Sequence, residues 1–280
     1  MVNIYEAGPF EGRVEQWPVL ATSGALEVRL AETDAEVEQA QRLRYAVFYE
    51  EMSAIPSPQM REAGRDFDKY DDVCDHLLVV DREAHGEDGQ PLVVGTYRLT
   101  REQDAIRAGG FYTAGEYDLG LMLRGQAPGA KVLELGRSCV LKAYRTRPGT
   151  MQLLWKGLMA YVARFDIDLM FGCASLAGTD VAALALPLSY LNHFHPMPEN
   201  VRVRARPELF TDMNLIAKDA IDPREALRTL PPLLKGYVRA GGSIGEGAVI
   251  DRQFGTTDVF IYFPLSGIDA RYKSRFGLVK

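Results

Sequence analysis

The stretch KVLELGRSCVLKAYRTRPGTMQLLWKGLMAYVARFDIDLMFGCASL, residues 131–176, decides the fold. Its first part, KVLELGRSCVL at 131–141, has the apolar content of a strand. TMQLLWKGLMAYVARFD at 150–166 has the apolar spacing of a helix, and IDLMFGCASL at 167–176 reads as a buried strand. Strand, helix and strand in close succession form a crossover unit whose strands run parallel. Working outward toward the amino end, LEVRLAE at 26–32 alternates as a strand. Thr33 or Asp34 then caps a helix over AEVEQAQRLRYAVFYEEM, with Val37, Leu43, Val47 and Phe48 on one face. HLLVVDRE and LVVGTYRLT form an antiparallel hairpin around the turn HGEDGQP. Toward the carboxyl end follow a helix in DVAALALPLSYL, a loop in FHPMPEN, a strand in VRVRA, one helix over PREALRTLPPLLKGYVRAG and a last strand in DVFIYFPL. The expected architecture is α/β: one domain over 25–265 with a mixed central sheet flanked by helices, an extension at 1–24 and a tail at 266–280.

Composition narrows the function. The 280 residues carry a formal net charge of -6, against the strongly basic balance expected of a nonspecific nucleic-acid binder, so no nucleic-acid partner is expected. An anionic partner must therefore find a local basic patch. The first residues, MVNIYEAGPFEGRVEQWP, lack the apolar core of a secretory signal, and VAALALPLSYL is broken by Pro187 and is too short to span a bilayer. A cytoplasmic protein is expected. Cys74, Cys139 and Cys173 form no CxxC pair and read as reduced, mostly buried thiols.

Several motifs imitate chemistry. GGSIG at 241–245 has the pattern of a nucleophile elbow around Ser243, but a helix precedes it and no histidine follows His195. Asp66, Asp68, Asp71, Asp72 and Asp75 fail the EF-hand pattern, because Asp71 stands where its glycine belongs and Leu77 where its glutamate belongs. RDFDKYDDVCD is too acidic for a core element and reads as a solvated loop or a receptor for a cationic ligand. His193 and His195 have no visible partner cluster for a metal, so no metal site is expected.

Glu134 stands out because it is a carboxylate on a mid-sheet strand. Alternation places it on the face of Val132 and Gly136, opposite Leu133, Leu135 and Arg137. Gly136 marks a bulge or a close backbone approach, and the loop beyond carries Lys142, Arg145, Arg147 and Gly149. Two readings stand together: a buried Glu134 paired with Arg44 or Arg98, and a general base beside a phosphate-binding loop.

LRYAVFYEEM, DFDKYDDVCDHLLVVD, VVGTYRLT, ELGRSCVLKAYR, LLWKG, PPLLKGYVRAGG and IDRQFGTTDVFI together resemble the ornithine lipid N-acyltransferases. These bacterial enzymes are related to acyl-homoserine lactone synthases and to the GCN5-type acetyltransferase fold. The resemblance covers about residues 25–265 and implies transfer of a 3-hydroxyacyl chain from the phosphopantetheine thioester of acyl carrier protein to the α-amino group of ornithine. It implies no bound cofactor, the acyl-phosphopantetheine being a co-substrate. KAYRTRPG replaces the Gly-rich pyrophosphate loop of the acetyltransferases, which suits a single phosphate approached by cations.

By this resemblance Glu134 is the base, with Asp75 or His76 as the substitute, and a backbone N–H between Gly136 and Cys139 meets the oxyanion. Arg44, Arg98 and Arg137 hold the site or bind the substrate carboxylate, and Asp66 and Asp68 lie near the amino-acid pocket. Lys142, Arg145 and Arg147, with Cys139 at the strand end, face the carrier protein and its phosphopantetheine. Lys235, grouped with them, and Asp251, grouped with the substrate residues, match a later motif without a defined role. An amphiphilic product suggests weak attachment to the inner membrane surface through RYKSRFGLVK. Three alternatives stay open: another acceptor such as glutamine, a homoserine lactone synthase, and a noncatalytic lipid-binding member of the fold.

Overall fold

In the computed structural model the described residues are 18–86, 89–147 and 149–267. Among these residues eleven strands lie in one sheet: β1 (Ala21–Ser23), β2 (Leu26–Leu30), β3 (Asp75–His85), β4 (Pro91–Arg101), β5 (Tyr117–Asp118), β6 (Val132–Val140), β7 (Leu169–Ala177), β8 (Arg204–Ala205), β9 (Phe210–Thr211), β10 (Ser243–Asp251) and β11 (Thr256–Pro264). They run in the order β1-β2-β3-β4-β6-β7-β11-β10-β8-β5, with β9 on β10. β3 and β4 form the expected antiparallel hairpin, and β6 pairs parallel with β7 across the crossover helix Thr150–Phe165. The sheet begins before residue 25, since Ala21–Ser23 pairs with Leu26–Val28.

Alternation sorts the core. Leu77, Val79, Leu133 and Leu135 pack under the crossover helix with Leu154 and Leu158. That helix sits so close to the sheet that a Cβ on Gly157 would lie 2.4 Å from Val28 Cγ2. Val132 faces the other way, into a cluster with Tyr117, Met122, Phe171 and Phe260. The helix Asp34–Tyr45, capped by the Thr33 side chain, covers Leu78, Val80 and Val93. It runs on into a π-helical turn, Ala46–Glu51, that carries Val47 and Phe48 past the sheet.

Two expectations change and one strand is added. PREALRTLPPLLKGYVRAG is two helices, Pro223–Thr229 and Pro232–Ala240, because the residue before a proline leaves the helical region and Pro231 and Pro232 follow in succession. VRVRA shrinks to a two-residue strand behind the 3-10 turn Glu199–Val201. SIGEGAVID is a full strand that its glycines disguise: Gly247, at φ 81, sits where a Cβ would meet the Phe210 ring at 2.4 Å.

The site follows from how β6 parts from both neighbours. Its parallel pairing with β7 spans Val132↔Leu169, Leu133↔Met170 and Glu134↔Phe171, while β7 stays on β11 along its whole length. A Cβ on Gly172 would lie 2.3 Å from Leu135 O, so the strands part from a close backbone approach. On the other edge the register jumps from Arg98↔Gly136 to Thr96↔Cys139, a bulge with Arg137 at φ 51.

Candidate active site

Between the parted strands lies a cavity of about 320 Å³, walled by Glu134, Gly136, Arg137, Ser138, Asp251 and Asp258. Glu134 is 3% exposed. Its partners are not the arginines but the opening of a 3-10 turn: Oε2 accepts from Tyr112 N at 3.0 Å and Oε1 from Thr113 N at 2.7 Å. Burial raises its pKa, and the Thr113 and Tyr112 N–H groups pull the other way. The ion-pair reading of Glu134 with Arg44 or Arg98 is thus replaced by backbone donors.

The bulge also overturns the face assigned to Arg137. A left-handed residue breaks the two-residue period, and Arg137 lands beside Tyr112, the residue whose N–H binds Glu134. Its guanidinium lies 4.9 Å from the ring centroids of both Tyr112 and Phe254. Nε stands 3.3 Å from Asp66 Oδ2 and Nη2 3.6 Å from Asp68 Oδ2, so it is neutralised at a distance rather than gripped.

Behind it is a tighter set. Arg44, 0% exposed, places Nε 2.6 Å from Asp66 Oδ2 and Nη2 2.7 Å from Asp71 Oδ1. Tyr49 donates to Asp66 Oδ1, and Arg98 Nη1 reaches Asp68 Oδ1 at 2.7 Å. Burial alone would raise the Asp66 and Asp71 pKa values; Arg137 and Arg44 hold Asp66, and Arg44 and Arg98 hold Asp71, below the usual carboxylate range. The acidic segment is therefore not a solvated loop, because Asp66 and Asp71 are buried counterions.

Asp75 and His76 stand outside the cavity walls. Asp75 Oδ2 accepts from Tyr161 at 2.6 Å, while burial pushes His76 down to about 4 beside Cys74 and the Asp71 carbonyl. Cys139 reaches the wall, and burial pushes its thiol up to about 12, so it stays protonated. Arg145 also reaches the wall, pairs with Glu51 and donates to Val140 O. Lys142 and Arg147 are exposed on the same turn, Arg147 against Asp81. Lys235 instead donates to Arg228 O. His193, in the last turn of the helix Ala185–Phe194, bonds Ile216 O, and His195, at its C-cap, bonds Tyr190 Oη. RYKSRFGLVK lies outside the described residues.

Of a second acidic group at the cavity, sequence reasoning singled out Asp251 alone, without a defined role, and missed its two companions. Glu116, Asp251 and Asp258 each bring a carboxylate oxygen to within 4.8 Å of the others. Asp251 also caps Gln253 N and Phe254 N, and Asp258 accepts from Thr256. Burial, then Asp258, push Glu116 up to about 7, with the Cys173 thiol donating to it at 3.2 Å. Asp258 is raised too, chiefly by burial. Glu116 sits in a loop and Asp258 at the start of an apolar strand, so no local pattern joins them. All-oxygen donors suit a hard cation or an ammonium. The other convergent group, Asp71, Cys74 and His76, is wholly buried and its carboxylate already pairs with Arg44.

Residues 43–156 match the family model described as an acetyltransferase (GNAT) domain. The chain is 47% identical over 259 residues to an L-ornithine N(alpha)-acyltransferase of Rhizobium meliloti, covering 92% of this chain and 86% of that one. A Brucella abortus protein of the same name is 48% identical, covering 92% and 91%. The acyl-homoserine lactone synthase LasI, 15% identical, superposes with a TM-score of 0.45 over 90% of this chain and 94% of that one. Identity at this level along nine-tenths of the sequence, on a GNAT domain whose parted strands hold the cavity, places the chain in the L-ornithine N(alpha)-acyltransferase family.

Proposed function

We propose that the cavity joins a 3-hydroxyacyl group, delivered as a carrier-protein thioester, to the α-amino group of ornithine, giving lyso-ornithine lipid and free carrier-protein thiol. One observation carries this reading. The wall offers a loosely held guanidinium, Arg137, and two carboxylates, Asp251 and Asp258, that converge with Glu116 behind them, and together these complement an amino acid with one carboxylate and a cationic side chain. Arg137 takes the α-carboxylate and the acidic group takes the side-chain ammonium. Glu134, drawn toward protonation by burial, accepts a proton from the α-ammonium. The free amine then adds to the thioester carbonyl, collapse of the tetrahedral adduct breaks the C–S bond, and the departing thiolate takes the extra proton still on the nitrogen, leaving an amide and a thiol. The acyl chain lies along Val47, Phe48, Met52, Leu233 and Phe254.

The carrier protein docks where Lys142, Arg145 and Arg147 stand exposed immediately after β6, local cations on an acidic chain. None of the described helices is long and apolar enough to cross a membrane, and product release to a membrane surface needs only peripheral contact.

The test is thiol release from 3-hydroxyacyl carrier protein with ornithine, glutamine and norvaline, the last matching ornithine's carbon chain without the ammonium. Ornithine should be used best. Asp258→Asn should shrink the ornithine-to-norvaline preference by roughly 10- to 100-fold, the size of a lost charge-assisted contact. Equal use of norvaline by the native chain would overturn the acceptor, and methylthioadenosine release from S-adenosylmethionine would reassign the reaction.

A further inference from the structure

Two buried tyrosines have no part in the chemistry so far. Tyr97 of β4 stands across from the bulge, between Thr96, which pairs with Cys139, and Arg98, which pairs with Gly136, and it lines the cavity. Its hydroxyl lies 2.5 Å from that of Tyr237, on the helix Pro232–Ala240. Each tyrosine is 4% exposed, and both belong to the main apolar core. Burial pushes Tyr97 up to about 12 and Tyr237 well above its ordinary value, so both phenols keep their hydrogens at neutral pH.

A second, much smaller cavity of about 10 Å³ is lined by both phenols. It shares Tyr97, Leu135 and Cys173 with the large one, and its volume suits a single water-sized group. Two phenols joined by one bond spend one of their two hydrogens. The side chains of Leu135, Met170, Ile261 and Phe263 beside them offer the other no oxygen. The acyl chain of the proposed reaction brings one. Its 3-hydroxyl stands two carbons from the thioester carbon, so it stays within a few ångström of the reacting centre wherever the rest of the chain runs. Val47, Phe48, Met52, Leu233 and Phe254 have no group to meet that hydroxyl, and a hydroxyl buried without a partner opposes binding.

We infer that the Tyr97–Tyr237 hydroxyl pair hydrogen-bonds the 3-hydroxyl of the acyl chain and makes the site prefer a 3-hydroxyacyl donor to an unsubstituted one. The inference rests on the reaction proposed above. Either direction of the bond between the phenols serves, because an alcohol donates as well as accepts and Tyr97 can therefore meet it in both cases. Tyr97 is the specificity-determining residue, and Tyr237 is a positioning residue that holds the Tyr97 hydroxyl in place.

The experiment measures kcat/KM for thiol release, with ornithine as acceptor, from 3-hydroxyacyl and unsubstituted acyl carrier proteins of one chain length. The native chain, Tyr97→Phe and Tyr237→Phe are compared, each with its melting temperature. The native chain should prefer the 3-hydroxyacyl donor roughly 10-fold, the size of one neutral hydrogen bond. Tyr97→Phe should bring the two donors to within about twofold of each other, and Tyr237→Phe should lose part of the preference. A fixed pair also reads one configuration, so the native chain should use one enantiomer of the 3-hydroxyl roughly 10-fold better than the other, a measurement that stands even if neither variant folds. No release from either donor would overturn the reaction and this inference with it. Release with equal use of the two donors, equal use of the two enantiomers, or a folded Tyr97→Phe that keeps the native preference would overturn the inference and leave the reaction standing. A folded Tyr237→Phe at native preference would overturn the positioning role.

Discussion

Two sets of buried and half-buried carboxylates lie around Arg137 and differ in how they are neutralised. Asp66, Asp68 and Asp71 are held by Arg44 and Arg98, with ion-pair distances of 2.6–2.7 Å. Glu134, Glu116, Asp251 and Asp258 have backbone amides, hydroxyls and a thiol as hydrogen-bond partners, and Arg137 is the cation whose field reaches Glu116 and Asp258. The first set has its pKa values lowered at Asp66 and Asp71, the second raised at Glu134, Glu116 and Asp258. Carboxylates kept ionised by fixed partners build a wall; carboxylates kept short of positive charge are suited to receiving it from a substrate.

The largest effect expected from this contrast is on stability. Arg44→Met takes from the buried Asp66 and Asp71 their closest counterion, leaving the more distant Arg137 and Arg98, and breaking a buried pair from one side costs about 3–5 kcal/mol. Denaturant unfolding measures this; a loss under about 1 kcal/mol would mean the wall does not depend on its ion pairs. Next comes pH. Glu116 titrates higher folded than unfolded, so it binds more protons in the native state, and its stabilisation is lost as pH rises from about 4.5 toward about 7. Glu116→Gln should flatten that slope, and ornithine should flatten it in the native chain. Asp66 and Asp71 titrate lower folded, so their stabilisation is present at neutral pH and lost as pH falls through their folded values. A native chain whose stability does not decline between pH 4.5 and 7 would erase the distinction. The smallest effect lies at the surface: reversing Lys142 and Arg147 should raise KM for the carrier protein a few-fold and weaken its salt dependence. An unchanged salt response would move the dock elsewhere.

Much of this contrast is out of reach of a single sequence. Strong periodicity made the β6–helix–β7 unit legible, along with the capped first helix and the β3–β4 hairpin. Glu134 was legible because a carboxylate in mid-strand needs a reason. Its partners were not, because Tyr112 and Thr113 contribute backbone N–H groups, which carry no side-chain signature. The acidic segment misled because local composition cannot show that Arg44, 22 residues away from Asp66, will be folded against it. Gly136 pointed to the bulge, but the turn of Arg137 toward Tyr112 comes from one positive φ that no residue type announces. Glu116, Asp251 and Asp258 come from a loop and two strands and meet only once β10 and β11 pair beside β7.

The account stands most directly on Glu134 as the base. Glu134→Gln keeps shape and one of the two acceptors, enough for either the Tyr112 or the Thr113 hydrogen bond, while removing basicity. The decisive measurement is its kcat/KM for ornithine across pH 7 to 9, on the order of the range over which an α-amine titrates, beside its melting temperature. The expected result is a folded protein with turnover down about 10²- to 10⁴-fold near neutrality and a deficit that shrinks as more acceptor arrives deprotonated. A folded Gln variant with near-native turnover at every pH, or a deficit that stays constant as pH rises, would contradict it.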